Sequence, residues 1–192
     1  MNILLLGPQG SGKGTQAHRI AASYGLPHIA TGEMLRQAIA AGTELGRRVK
    51  PILERGELVP DELMIDVIRE RLNEPDVENG FVLDGFPRTI EQAEALDRML
   101  REIDKTPTIV LQLEVPEEEC VARLMKRAQD ESRTDDTPEA IRTRLALYRE
   151  KTEPLVEYYR TQGNLVGIHG DRPVDEVFDE IQQALEQAAV RQ

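Results

Sequence analysis

The stretch Gly7-Pro8-Gln9-Gly10-Ser11-Gly12-Lys13-Gly14-Thr15 constrains this chain more than any other. Before it, Asn2-Ile3-Leu4-Leu5-Leu6 reads as a buried strand, and after it Gln16-Ala17-His18-Arg19-Ile20-Ala21-Ala22 is rich in helix formers. A strand, a glycine loop, a lysine and a helix form the setting in which backbone N–H groups turn inward around an anion at the positive end of a helix. Lys13 adds a point charge where the terminal phosphates of a nucleotide would lie. The pattern departs from G-x-x-x-x-G-K-[ST] at one place, since Gly14 stands where that motif has a hydroxyl and Thr15 supplies one a residue later. A dinucleotide-binding fingerprint fits less well, because Gly10-x-Gly12 would call for glycine at position 15.

A chain of 192 residues with 40% hydrophobic side chains is enough for one domain with a single core. Its one cysteine, Cys120, excludes an internal disulfide and a multi-cysteine zinc site and fits a reducing compartment. Residues 3–6 are too short a run for a signal peptide or a membrane span, and no other apolar run approaches about 20 residues. The expectation is a soluble cytoplasmic protein with no membrane partner. A net charge of -11 argues against general nucleic-acid binding, which needs a broad basic face, but a local site for a small phosphorylated ligand is compatible with it.

Strands are predicted at 2–6, 27–30, 80–84, 108–114 and 164–168, with helices between them. That alternation implies an α/β fold, a five-stranded parallel sheet covered on both faces. Two short helices between Thr31 and Val59, the second bent or restarted at Pro51, form an insertion that rests lightly on the core. An amphipathic helix covers 61–73. Thr89 and Gln92 read as a capping box for a helix to about 103. The helix from Pro116 to about Ala128 turns Cys120, Val121, Leu124, Met125 and Ala128 inward and carries Arg123 and Arg127 on another face. Gln129 to Asp136 contains no core-forming residue; a long helix from Thr137 to Arg160, kinked at Pro154, and a last helix from Pro173 follow. Asp84 closes a buried strand, where ligands of open α/β sheets sit, and Arg88 lies in the next turn. His18, His28 and His169 have no ligand spacing and read as structural or exposed, and Cys120 as core.

Three further segments, Thr31-Gly32-Glu33-Met34-Leu35-Arg36, Asp84-Gly85-Phe86-Pro87-Arg88-Thr89-Ile90-Glu91-Gln92 and Arg123 to Arg144, closely resemble, together with Gly7–Thr15, the adenylate kinases of the nucleoside monophosphate kinase family. The resemblance runs from about residue 2 to about 185. It implies a P-loop α/β/α kinase domain over 1–192, with a core of 1–29, 60–125 and 137–192, an NMP-binding subdomain at 30–59 and a short lid at 126–136. That lid lacks the cysteines with which longer members hold a metal, so no structural zinc is expected. The implied reaction is reversible transfer of the terminal phosphoryl group of Mg-ATP to AMP, with ATP and AMP as partners and the chain a monomer. Carried over residue by residue, Gly10, Ser11, Gly12, Lys13, Gly14, Thr15, Arg127 and Arg172 meet ATP, and Asp84 holds Mg²⁺ through water. Thr31, Arg36, Glu57, Leu58, Val59, Gly85, Phe86, Pro87, Arg88 and Gln92 meet AMP, as do Arg133 and Arg144. Lys13, Arg88, Arg123, Arg133 and Arg144 surround the transferred group. The glycine at position 14 is the family's own; Gln9 stands where many members have proline. A UMP or CMP kinase would share the loop, Asp84 and the arginines, and Thr31 and Gln92 favour AMP. A regulator that binds ATP without turnover would not need cations converging from two sides, and Gly14 disfavours a GTPase-like switch.

Overall fold

The computed structural model describes residues 1–130 and 135–190. Five parallel strands, β1 (Asn2–Leu6), β2 (His28–Ala30), β3 (Phe81–Asp84), β4 (Ile109–Glu114) and β5 (Leu165–His169), form one sheet in the order β2-β3-β1-β4-β5. Successive side chains of a strand point to opposite faces. Leu4, Leu6, Phe81, Leu83 and Val110 therefore join one core, and Ile3, Leu5, Val82, Ile109 and Leu111 the other. Burial on both faces is why these strands read as continuous apolar runs.

Helices α1 (Lys13–Tyr24) and α9 (Val174–Val190) cover the second face, through Ala17, Ile20, Phe178, Ile181 and Leu185. The first face is covered by α4 (Asp61–Leu72), α5 (Ile90–Glu102) and α8 (Pro154–Thr161), through Ile68, Leu96, Leu100 and Tyr159. β1 has β3 on one side and β4 on the other, so consecutive crossovers leave the sheet in opposite directions at its C-terminal end. The crevice opened there holds the loop of residues 7–12.

Between β2 and α4 lie α2 (Thr31–Ala40) and α3 (Glu44–Glu54). Their contact is close: a side chain at Gly46 would meet Ala38 O at 2.1 Å. α3 runs through Pro51 without a restart. Leu35, Val49 and Val59 belong to the same buried cluster as the strands, so this insertion is seated more firmly than its composition suggests.

After β4, α6 (Glu117–Asp130) packs Cys120 and Leu124 against Ile141 and Leu145 of α7 (Pro138–Leu147). Met125, expected on that apolar side, is exposed, because only a narrow stripe of α6 faces α7. The long helix expected to 160 loosens before its proline: Tyr148–Thr152 is a π segment, closed by Glu153 N–H donating to Tyr148 O at 2.8 Å, and α8 restarts at Pro154. Phe86–Pro87 is a cis peptide bond.

Candidate active site

Positive φ angles at Gly7 (143°), Gly10 (84°) and Gly12 (93°) bend the loop back on itself. Gly12 caps α1 with no side-chain hydrogen bond, so the first N–H groups of the helix are left for an anion. Lys13 Nζ donates to Gly7 O at 2.6 Å and Pro8 O at 2.8 Å, folding back over the loop. Burial lowers its pKa to about 8; Asp84 pulls it upward, while Arg88 and Arg127 add to the depression.

A cavity of about 750 Å³ spreads from this loop between the sheet edge, α2, the turn after β3 and the helices α6 and α7. Gly10, Gly12, Lys13, Gly14, Thr15, Arg36, Glu57, Asp84, Gly85, Pro87, Arg88, Arg123, Arg127 and Arg144 all line it. In a protein of net charge -11, Lys13, Arg36, Arg88, Arg123, Arg127 and Arg144 thus face one cavity. Burial opposes charge on Asp84, but His28, Lys13 and Arg88 outweigh it and hold the carboxyl below its usual range. His28 Nε2 stands 3.8 Å from Asp84 Oδ2, beyond hydrogen-bond length. Parallel pairing of β2 with β3 brings His28 and Asp84 together. No local motif joins these two residues, which lie far apart in the chain.

Arg88 is half-buried, and desolvation pulls its pKa down against the attraction of Asp84. Its Nε donates to Gly85 O at 2.7 Å. From α6, Arg123 donates to Glu119 Oε1 at 2.7 Å and to Gly170 O at 3.3 Å. Arg127 grips Asp136 through two bonds, at 2.7 and 2.9 Å. Arg144, on α7, donates to Asp136 Oδ1 at 2.5 Å and Asp135 Oδ2 at 2.8 Å, and Arg36 Nη1 lies 4.0 Å from the same Asp135 oxygen. Burial opposes ionisation of Asp136, but the two arginines hold its pKa below the usual range. A guanidinium has five N–H donors, so the carboxylates aim Arg127 and Arg144 without exhausting them.

Asp135 and Asp136 are buried, although they lie in a polar stretch without core-forming residues. The only sequence signal for them was two adjacent carboxylates between two arginine-bearing helices. Arg133 lies outside the described residues.

Other expected residues stand behind the cavity wall or away from it. Ser11, Thr31, Val59, Phe86 and Gln92 are buried, and Leu58 is half-buried. Thr31 is the first helical residue of α2 rather than its cap, and its hydroxyl donates to Asp84 O at 3.2 Å. Thr89 does cap α5 by accepting from Gln92 N–H, but Gln92 Oε1 accepts from Arg88 N–H rather than Thr89 N–H, so the capping box is incomplete. Arg172 borders a separate groove of about 630 Å³ with Pro8, Glu114, Tyr148 and Glu153, and is paired with Glu180. His18 is exposed at the main cavity, His169 is exposed at the groove, and Cys120 is buried. Among the described residues, no group of three or more His, Cys, Asp or Glu is placed to hold a metal ion, and no helix is long and apolar enough to cross a membrane.

Comparison with known proteins meets the same features. Residues 5–164 match the family described as adenylate kinase. An adenylate kinase of Thermus thermophilus is 51% identical over 183 residues, covering 95% of this chain and 96% of the relative. Those of Archaeoglobus fulgidus and Methanosarcina barkeri are each 45% identical, over 213 and 215 positions, covering 97% and 98% of this chain and 98% and 100% of the relatives.

Proposed function

The chain belongs to the adenylate kinase family, and from that premise we propose that it transfers the terminal phosphoryl group of Mg-ATP to AMP, reversibly, giving two ADP. The observation that supports this most is the shared cavity: Lys13, Arg123 and Arg127 approach it from the loop and α6, and Arg36, Arg88 and Arg144 from α2, the turn after β3 and α7. Two polyanions must meet in this reaction, and the attacking phosphate oxygen is already ionised, so no general base is needed. The site has to align the two nucleotides, screen their repulsion and exclude water. We assign the donor phosphates to the loop N–H groups and Lys13, and the acceptor phosphate to Arg36 and Arg88. Arg123 and Arg144 stabilise the transferred group. We further place Thr31, Glu57–Val59, Gly85–Pro87 and Gln92 around the acceptor nucleotide and Arg172 near the donor base, and we take the chain as a cytoplasmic monomer.

Mg²⁺ dehydrates reluctantly and is commonly held by one or two carboxylates together with substrate phosphates. Asp84 fits that demand. Its carboxyl is held in the charged form, and Oδ2 lies 3.6 Å from where a side chain at Gly14 would begin, beside the phosphate loop. When bound, the ion supplies neutralisation of phosphate charge; Asp84 contributes an anchor for its water shell.

A coupled assay of ADP formation tests the assignment. Efficiency with AMP is expected to exceed that with CMP, UMP or GMP by about tenfold or more; equal rates with CMP or UMP would refute it. A second expectation concerns protons. With its pKa at about 8 in the empty site, Lys13 loses its charge above that pH, and a bound triphosphate raises the pKa again. ATP binding should therefore take up close to one proton at about pH 9 and almost none at about pH 6.5. The affinity should weaken as pH rises through 8. Calorimetry in buffers of different ionisation enthalpy reads the uptake directly, and Lys13→Met should abolish it.

A further inference from the structure

The turn that carries Arg88 is held by side chains other than the phosphate-facing cations. Arg88 N–H donates to Gln92 Oε1 at 2.8 Å, and Thr152 Oγ1 donates to Arg88 O at 2.8 Å. A backbone N–H can only donate and a carboxylate only accept, so Gln92 has one possible orientation: Oε1 toward Arg88 and Nε2 toward Asp61 Oδ1, at 2.7 Å. Asp61 opens α4 and also accepts from Thr89 Oγ1 at 3.1 Å. The N–H side of Arg88 is thus anchored to α4 and α5.

Its carbonyl side is anchored much further along the chain. Thr152 is buried and ends the π segment that directly follows α7, the helix of Arg144. π turns inside α-helical segments are often found at functional sites. Here the looser turn places a hydroxyl against the peptide of Arg88 and so joins the two arginine-bearing elements through one hydrogen bond.

We propose that Thr152 is a positioning residue for phosphoryl transfer: by holding the Arg88 carbonyl, while Gln92 and Asp61 hold its N–H, it sets where the Arg88 guanidinium meets the acceptor phosphate. This rests on the reading of Arg88 as an acceptor-phosphate ligand. Valine has nearly the shape of threonine but no donor, so Thr152→Val leaves the carbonyl without its partner and frees the turn to shift. Displacements of about 1 Å at a positioned group can cost on the order of 10²-fold in rate.

The test is a double-mutant cycle on the full chain. Thr152→Val should lower kcat/KM for AMP by about tenfold and leave the Kd for ATP within about twofold, and Thr152→Ser, which keeps the hydroxyl, should restore the efficiency. In an Arg88→Ala background the added Thr152→Val should cost less than about twofold, because a residue acting through Arg88 has nothing left to position. A loss of equal size in both backgrounds would overturn the proposal, as would wild-type efficiency in Thr152→Val. Arg88→Ala alone having no effect would overturn the underlying reading as well, and the single variant reveals that case separately. If Thr152→Val does not fold, Thr152→Ala, which removes the same donor without adding bulk, replaces it in the cycle, with the same non-additivity expected and simple multiplication refuting the proposal.

Discussion

Arg88→Ala is expected to reduce turnover by about 10³ while ATP still binds, a loss of roughly 4 kcal/mol of transition-state stabilisation. Two structural facts support an effect of this size, and a third supports the survival of ATP binding. The guanidinium lines the shared cavity and is half-buried there, where charge is less screened than in open water. Its turn is fixed at Nε, at the N–H and at the carbonyl, so the charge does not have to be organised during the reaction. The donor-side loop and Lys13 make no hydrogen bond to Arg88, which is why ATP binding should survive. Arg88→Lys should recover only part of the rate, because an ammonium lacks the planar fork that meets two phosphate oxygens at once. Rapid-quench turnover together with equilibrium ATP binding separates the two effects. A variant that keeps more than about half of the wild-type rate would place Arg88 away from the transferred group.

The parts of the molecule that were legible in the sequence are those in which neighbours in space are neighbours in the chain. Doubly buried strands announce themselves as apolar runs, and Gly7–Thr15 carries its own strand, loop and helix, so sheet, loop and the position of Asp84 could all be read locally. Burial of Asp135 and Asp136 could not. Composition assigns two adjacent aspartates to solvent, yet Arg127 from α6 and Arg144 from α7 pair with them and offset the cost of burying them. His28 reaches Asp84 by strand pairing, and Gln92 turns inward because Asp61, thirty-one residues earlier, accepts from it. In each case long-range pairing overrides the local preference. The π segment is similar: Pro154 gave notice of a break, but the ladder yields in the turn before it. Chain length also differs between this protein and some relatives. The alignments with the Archaeoglobus fulgidus and Methanosarcina barkeri relatives span more positions than the 192 residues here, so those relatives carry segments that this chain lacks.

Gly10→Ala is expected to be the most damaging single-methyl change in the loop. Its φ of 84° is one that side-chain-bearing residues adopt at a cost of about 1–3 kcal/mol. Space adds a second penalty. A methyl at Gly10 would stand 2.5 Å from Cys120 O and 3.0 Å from Leu124 Cγ. Cys120 O is main chain of α6 and cannot rotate aside, so either the loop opens or α6 moves with Arg123 and Arg127 on it. Both responses disturb the donor site, one by turning N–H groups away from the phosphates and the other by withdrawing cations from them. The Kd for ATP should therefore rise by about 10² or more, and the thermal midpoint should fall by several degrees. Gly25→Ala is the matching control: φ is 63°, but nothing lies within 4 Å of the added methyl. It should cost about 1 kcal/mol of stability and leave ATP binding within about twofold. If the two variants bind ATP equally well, the tight approach of the loop to α6 is not what holds the phosphate-binding conformation.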